Sequence, residues 1–496
     1  MMKNICKLIL SIIAMLVISS AIPVEAKAEE TYGDWKYEVL DDGTIMLTSY
    51  QGTNNTVEIP AKIDDKKVTS LGEMFLSEWY PDGDRDIRKV IIPVSINDIN
   101  ESAFKWAQVD KLDVDDENKY YSVKNNMLFE NKTKSLILCL EKTKKINIPD
   151  GTKRISKFAF WDSDTITSIY IPKSVIKIEN RAFETLFYLE KITVASKNTK
   201  YKSIDGILFN KKGTKLIYYP KNLSQPYEAY YVPEGVKTIG KCAFDSTQYG
   251  IKYVYLPEGL RNIEEEAFTT AQYIEYIYVP KSVKNIRENA FDQFNENLTI
   301  LCEKSSPAWN YVEINKPMWD IGFTCEEPIF LKDAKIKLQK KQYTFNGKEK
   351  KPKVKITING KEIAGYPCYI VKYKNNKDIG KATVNIQGLG KYVGNITKTF
   401  EITPRKVTSL KQVSNKSDST IKMTWKKSPK VTGYEIYRST KVNGTYKKIK
   451  SLKNNSYTNK KLKSDTEYYY KVRAYKTVKG KKIYSRFSKT VVMKTK

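Results

Sequence analysis

Histidine is absent from the chain. With it go Ser-His-Asp and Cys-His nucleophilic catalysis, imidazole proton shuttles and histidine metal ligands. Six cysteines remain, and five lie beyond residue 6. They are too scattered for a zinc cluster, and an odd number completes no disulfide framework. A Cys302–Cys325 bridge and two separate thiols are both open readings, and Cys242 is expected at an exposed repeat position. Carboxylate-pair hydrolysis survives on residue types alone, but nothing in the sequence sets two acids together in a cleft. What recurs instead is tyrosine. Tyr170, Tyr231, Tyr255 and Tyr278 occupy one position of a repeated segment, and Tyr253 and Tyr276 stand two residues earlier. Tyrosine offers a wide apolar ring, a hydroxyl and little conformational entropy to lose. Its chemistry is non-covalent recognition of a protein or a sugar.

Those tyrosines are positioned by a repeat. Ile171-Pro172 leads to Val175, Ile178 and Ala182-Phe183; Val232-Pro233 leads to Val236, Ile239 and Ala243-Phe244. Leu256-Pro257 leads to Leu260, Ile263 and Ala267-Phe268, and Val279-Pro280 to Val283, Ile286 and Ala290-Phe291. Copies begin also at Ile59-Pro60, Ile92-Pro93 and Ile148-Pro149, and the spacing is 23 or 24 residues where the copies are contiguous. Apolar residues at fixed offsets with this period mark a leucine-rich solenoid, in which stacking buries the face that one turn cannot. Each copy supplies a short strand that ends at the proline, which has no N–H for the ladder. Strand alternation then puts the six tyrosines on the open face of a parallel sheet, with equivalent residues ~4.8 Å apart. Two readings of that column stand: a ligand surface, or tyrosines favoured on strands and stacked on their neighbours.

Two longer gaps, Pro93 to Pro149 and Pro172 to Pro233, hold related inserts. Val114, Asn118, Tyr121 and Met127-Leu128-Phe129 match Val194, Asn198, Tyr201 and Ile207-Leu208-Phe209 at an offset of 80. With turn signals at Asp205-Gly206 and Lys212-Gly213, each insert is expected to extend a coil by a hairpin. The inserts compete with the tyrosine column as the contact region. Taken together, residues 31–325 resemble the BspA-like, Treponema-type leucine-rich repeats of bacterial surface proteins, including an entry segment at Tyr37 to Gly43 and a closing one at Ser305 to Ala308. The resemblance implies a cell-surface binding role and names no ligand.

Past Glu326-Glu327-Pro328 the pattern changes to alternating strands. Val354, Ile356 and Ile358 face one way, and turn signals recur at Asn346-Gly347, Asn359-Gly360 and Gly388-Leu389-Gly390; these predict an antiparallel sandwich. Tyr343, Lys351-Pro352, Tyr373, Gly380 and Tyr392 make it similar to Ig-like modules of Gram-positive surface proteins. After Pro404, Trp425, Gly433 to Tyr437, Leu462 and Tyr468-x-Tyr470-x-Val472-x-Ala474 resemble a fibronectin type III domain. It lacks an Arg-Gly-Asp loop, so no such site is carried over.

The expected fold class is mainly β: a parallel-sheet leucine-rich solenoid followed by two antiparallel sandwiches. The expected division is a signal peptide at 1–28, a repeat domain at 29–326, an Ig-like sandwich at 327–404 and a fibronectin type III domain at 405–496. The signal reading rests on Lys3 and Lys7, the apolar run Leu8 to Ile22 and the Ala26-Lys27-Ala28 cleavage pattern. An uncleaved anchor competes with it, though the run is short beside the ~20 residues of a spanning helix. No further integral membrane segment and no C-terminal sorting motif is expected, so the mature chain is read as secreted, extracellular or associated with the cell surface.

Charge is divided unevenly. Leu331 to Lys496 carry 44 basic and 9 acidic residues, net +35, whereas 1–330 carry 42 and 47, net −5. Such asymmetry points to a polyanionic partner for the C-terminal third; an anionic cell-wall polymer fits an exported protein and nucleic acid does not. Lysine used simply to solubilise small sandwiches is the competing explanation. The sequence calls for no cofactor, no metal and no enzyme. It leads to an adhesin or recognition protein that binds a host or matrix protein or glycan through the solenoid. The alternative is a structural wall protein held by its basic end.

Overall fold

A computed structural model of the chain describes residues 28–496 except 77–86, 162, 164, 246–249, 292–294, 320–323 and 414–417. The signal-peptide reading falls on residues outside this set. An antiparallel meander, Glu30–Tyr32, Trp35–Val39 and Ile45–Tyr50, opens the molecule, and Lys66–Leu71 joins it in parallel. Coils then stack with two parallel ladders. The longer-stranded ladder runs in three stretches. Thr56–Glu58, Lys89–Ile92 and Lys111–Val114 form the first. Lys145–Asn147, Ser168–Ile171 and Lys191–Val194 form the second. Ala229–Tyr231, Tyr253–Tyr255, Tyr276–Tyr278, Thr299–Leu301 and Thr324–Glu326 form the third. The opposite ladder uses two-residue strands such as Thr238–Ile239, Asn262–Ile263 and Asn285–Ile286.

The core follows from the repeat. The aliphatics of both ladders point inward, and the phenylalanine of each Ala-Phe pair stacks on the next. Phe244 and Phe268 lie 4.7 Å apart at 12°, and Phe268 and Phe291 5.5 Å apart at 10°. The preceding alanines, Ala243, Ala267 and Ala290, are fully buried where the chain turns. The residue before each of these alanines takes a left-handed backbone: Cys242, Glu266 and Asn289 have φ of 54°, 57° and 52°. Cys242 is thereby turned inward. It is 5 % exposed, with its Sγ donating to Glu266 Oε2 at 3.3 Å, which corrects the expectation of an exposed position. Cys302 and Cys325 stand as separate thiols.

Each insert is the expected hairpin. Tyr121–Lys124 pairs antiparallel with Met127–Glu130, and Tyr201–Ile204 with Ile207–Asn210. One buried asparagine anchors each. Asn118 Nδ2 donates to the carbonyls of Pro93 and Ile96 at 2.8 and 3.0 Å, and its Oδ1 accepts the Tyr121 amide at 2.9 Å. Asn198 makes the same set with Pro172, Val175 and Tyr201, at 2.9, 3.0 and 2.8 Å. These bonds satisfy the Ile96 and Val175 carbonyls and give a second donor to those of Pro93 and Pro172, which also accept the Ile96 and Val175 amides. An α-helix, Pro307–Trp319, closes the last coil, with Ala308 and Val312 buried in the repeat core. The closing segment did not announce a helix, although Ser306-Pro307 is a start signal, and the Trp309 amide donates to Ser306 Oγ at 3.2 Å. Among the described residues no helix is long and apolar enough to cross a membrane.

Two sandwiches complete the chain. The first sets Lys335–Leu338, Val354–Ile358 and Lys361–Ile363 against Gln342–Thr344, Asn395–Thr403, Gly380–Gly388 and Tyr369–Lys374. In the second, Trp425, Leu462, Tyr470, Val472 and Ala474 fill the core as expected. Its outer sheet face holds a carboxylate that is 1 % exposed, Glu435, ion-paired with Arg473 at 2.8 Å and Lys482 at 3.1 Å. Burial alone would raise its pKa; hydrogen bonds from Arg473, Lys482 and Tyr437 outweigh burial and bring it down to about 2.

Candidate functional site

The outward column of the third ladder stretch is Tyr231, Tyr255, Tyr278, Leu301 and Glu326 on successive rungs, with Ala229, Tyr253, Tyr276, Thr299 and Thr324 beside it. This column is not open to solvent. The first sandwich folds back onto it, and Ile370, Leu389 and Val393 bury themselves among Tyr253, Tyr255 and Tyr278. These three tyrosines are 7 %, 4 % and 4 % exposed, and Tyr231 and Tyr276 are half-buried. Tyr170, in the second stretch, remains exposed at 39 %. The expectation of an open face is therefore corrected for five of the six tyrosines. The reason is physical: rings on adjacent rungs make a broad apolar surface, and the chain covers it with its own next module rather than leaving it wet.

The contact has specific geometry. Tyr231 and Tyr255 stack at 4.4 Å and 11°. Tyr231 donates its hydroxyl to the Gly388 carbonyl, and Tyr255 donates to the Gly390 carbonyl at 2.9 Å. The turn Gly388-Leu389-Gly390 is what reaches the tyrosines. A Cβ on Gly388 would sit 2.1 Å from the Tyr392 carbonyl, and Gly390 has φ 56°, so glycine suits both positions. Upstream, Ile329–Phe330 pairs in parallel with Tyr392–Val393 and ties the linker to the same loop. Burial pushes the phenols of Tyr231, Tyr255 and Tyr278 well above their ordinary range, and that of Tyr253 up to about 12.

At the border of this contact a cleft of about 540 Å³ remains. Tyr231, Tyr255, Tyr278 and Phe330 wall it, and the rim carries Glu234, Glu258 and Glu303 against Lys332. Tyr278 donates its hydroxyl to Glu258 Oε1 at 2.7 Å, and its ring meets Phe330 edge-on at 6.1 Å. Lys332 Nζ lies 4.4 Å over the Phe330 ring. Sequence reasoning missed these acids, although Glu234 and Glu258 directly follow the repeat proline in successive copies. Among the described residues, no group of three or more cysteine, aspartate or glutamate side chains is placed to hold a metal.

Comparison with known proteins agrees with this architecture. The BspA type leucine rich repeat region matches residues 137–231 and 224–307 in six copies, and the fibronectin type III domain matches 405–490. None of the curated proteins matches the chain. Among solved structures, a leucine rich cell surface protein from Faecalibacterium prausnitzii is 20 % identical, covering 56 % of this chain and 89 % of its own at a TM-score of 0.30. A leucine-rich repeat protein from Eubacterium ventriosum is 19 % identical, covering 70 % and 99 % at a TM-score of 0.38. An Fn3-like protein from Clostridium thermocellum is 30 % identical over 18 % of this chain and 91 % of its own, at a TM-score of 0.17. Both family matches fall on the segments that the repeat and the second sandwich occupy, so the chain carries BspA-type leucine-rich repeats over residues 137–307 and a fibronectin type III domain over 405–490.

Proposed function

We propose that this chain is a secreted, surface-associated recognition protein. Its binding head is the solenoid with the first sandwich docked on it, and its basic C-terminal end tethers it to anionic wall polymer. In this reading the repeat domain is 29–326, the Ig-like sandwich 327–404 and the fibronectin type III domain 405–496. The observation that carries the reading is the aromatic cleft between solenoid and sandwich, because ligand sites favour concave, largely apolar places at module borders. Tyr231, Tyr255 and Tyr278 then serve recognition as the wall of that cleft, Tyr253 and Tyr276 as its support, and Tyr170 as an exposed contact further along the ladder. A structural wall protein held by charge alone is the second reading, favoured by the net +35 of residues 331–496.

The test is a binding panel with the full mature chain against matrix proteins, mucin-type glycans, isolated wall polymers and whole bacterial cells, run in rising salt. Retention of a protein or glycan at ~1 M salt, where charges are screened within ~3 Å, together with salt-sensitive wall binding, supports the recognition reading. Binding to wall polymer alone, lost in salt, gives precedence to the structural one.

A further inference from the structure

The cleft has a chemistry narrower than recognition in general. Glu234 and Glu258 sit on adjacent rungs, each directly after its proline, and both are exposed. Neighbouring strands are ~4.8 Å apart, and like charges side by side at that spacing repel. On the next rung the equivalent residue is Lys281, which reaches Glu303 on the rung beyond at 3.9 Å, whereas Lys237, near Glu258, donates its Nζ to the Gly259 carbonyl at 3.2 Å. The Tyr278 hydroxyl holds the Glu258 carboxylate in place at 2.7 Å, so the acid is oriented before any ligand arrives. Behind the two acids stand the stacked rings of Tyr231 and Tyr255.

Paired carboxylates in front of aromatic faces suit a planar cation. A guanidinium forks onto a carboxylate with two hydrogen bonds and lies flat on a ring, whereas an ammonium does neither as well. The rim supplies three carboxylates against one ammonium and the Asn395 amide, a net negative charge that favours a cation over a neutral saccharide. We propose, on the basis of the recognition reading above, that the cleft binds an arginine side chain presented on an exposed loop of a protein partner. The whole chain carries net +30, so long-range forces repel a strongly basic partner. That favours a single arginine in an otherwise neutral or acidic loop over a polybasic segment.

The probe is N-acetyl-arginine amide, titrated by calorimetry and by NMR into the full mature chain at ~150 mM salt. The neutral isostere N-acetyl-citrulline amide, N-acetyl-lysine amide and a neutral trisaccharide run in parallel. The expected result is saturable binding of the arginine probe, about tenfold weaker binding of the lysine probe, and none of citrulline. Glu234→Gln and Glu258→Gln should each weaken arginine binding about tenfold while the melting curve stays unchanged, since both side chains are exposed. Equal binding of citrulline, unchanged affinity in both variants, or preference for the trisaccharide overturns the proposal. The recognition reading is separable: a matrix partner that binds the wild type and the Glu234→Gln/Glu258→Gln chain alike leaves recognition standing and removes the arginine.

Discussion

The same strand ladder behaves in opposite ways at its two ends. In the second stretch, the outward column reads Asn147, Tyr170, Thr193, beside Lys145, Ser168 and Lys191, and it faces solvent. In the third, it reads Tyr231, Tyr255, Tyr278, Leu301, beside Ala229, Tyr253 and Tyr276, and a sandwich lies on it. The coil geometry is common to both, so the backbone does not decide. The outward residues do. One tyrosine among lysines, serine and asparagine leaves a wettable surface; five within three rungs make an apolar one that the chain covers.

The largest effect on this contrast should come from alkali. Burial raises the phenol pKa of Tyr231, Tyr255 and Tyr278 in the docked state, while an undocked tyrosine ionises near ~10. Docking is therefore undiminished below pH ~10 and is lost as the pH rises through the docked values. Phenolate absorbance should show a late, cooperative wave that coincides with expansion in small-angle scattering. A single wave near pH ~10 with no expansion would remove the distinction between the two ends. Tyr255→Ala comes next. Losing a ring buried at the centre of the contact should cost about 2–4 kcal/mol of docking and expose the connection at Glu327-Pro328 to protease, with the solenoid's own melting transition kept. Tyr255→Phe keeps the ring but strands the Gly390 carbonyl, a loss of about 1 kcal/mol. Tyr170→Ala should change stability by less than about 0.5 kcal/mol, and a larger cost there would mean that the two ends are alike after all.

These differences were partly legible in the sequence. The repeat period, the inward aliphatics and the Ala-Phe pair locate both ladders, because each rests on local rules of alternation and close packing. The paired inserts could be aligned residue by residue, and the turn Gly388-Leu389-Gly390 was read as a turn. What local rules do not contain is that this turn, some 130 residues beyond Tyr255, would seat itself between tyrosine hydroxyls. A column of tyrosines looks the same on paper whether its partner is another protein or the chain's own next module. Cys242 shows a smaller version: its position varies between repeats, which reads as exposure, but the left-handed backbone there turns the side chain under its neighbours.

Docking also sets how the molecule would carry a pull between a ligand on the solenoid and an anchor at the C-terminal end. The load would meet the tyrosine contact before it reached the connection between Glu326 and Ile329. Giving way there would free only the short connection at residues 327–328, about 7 Å of extended chain, because Ile329–Phe330 stays paired with Tyr392–Val393 and Leu331 stays buried in the sandwich's own core. The head would lengthen by one short, reversible step and then hold, a built-in slack that spares the stacked coils from being unravelled first.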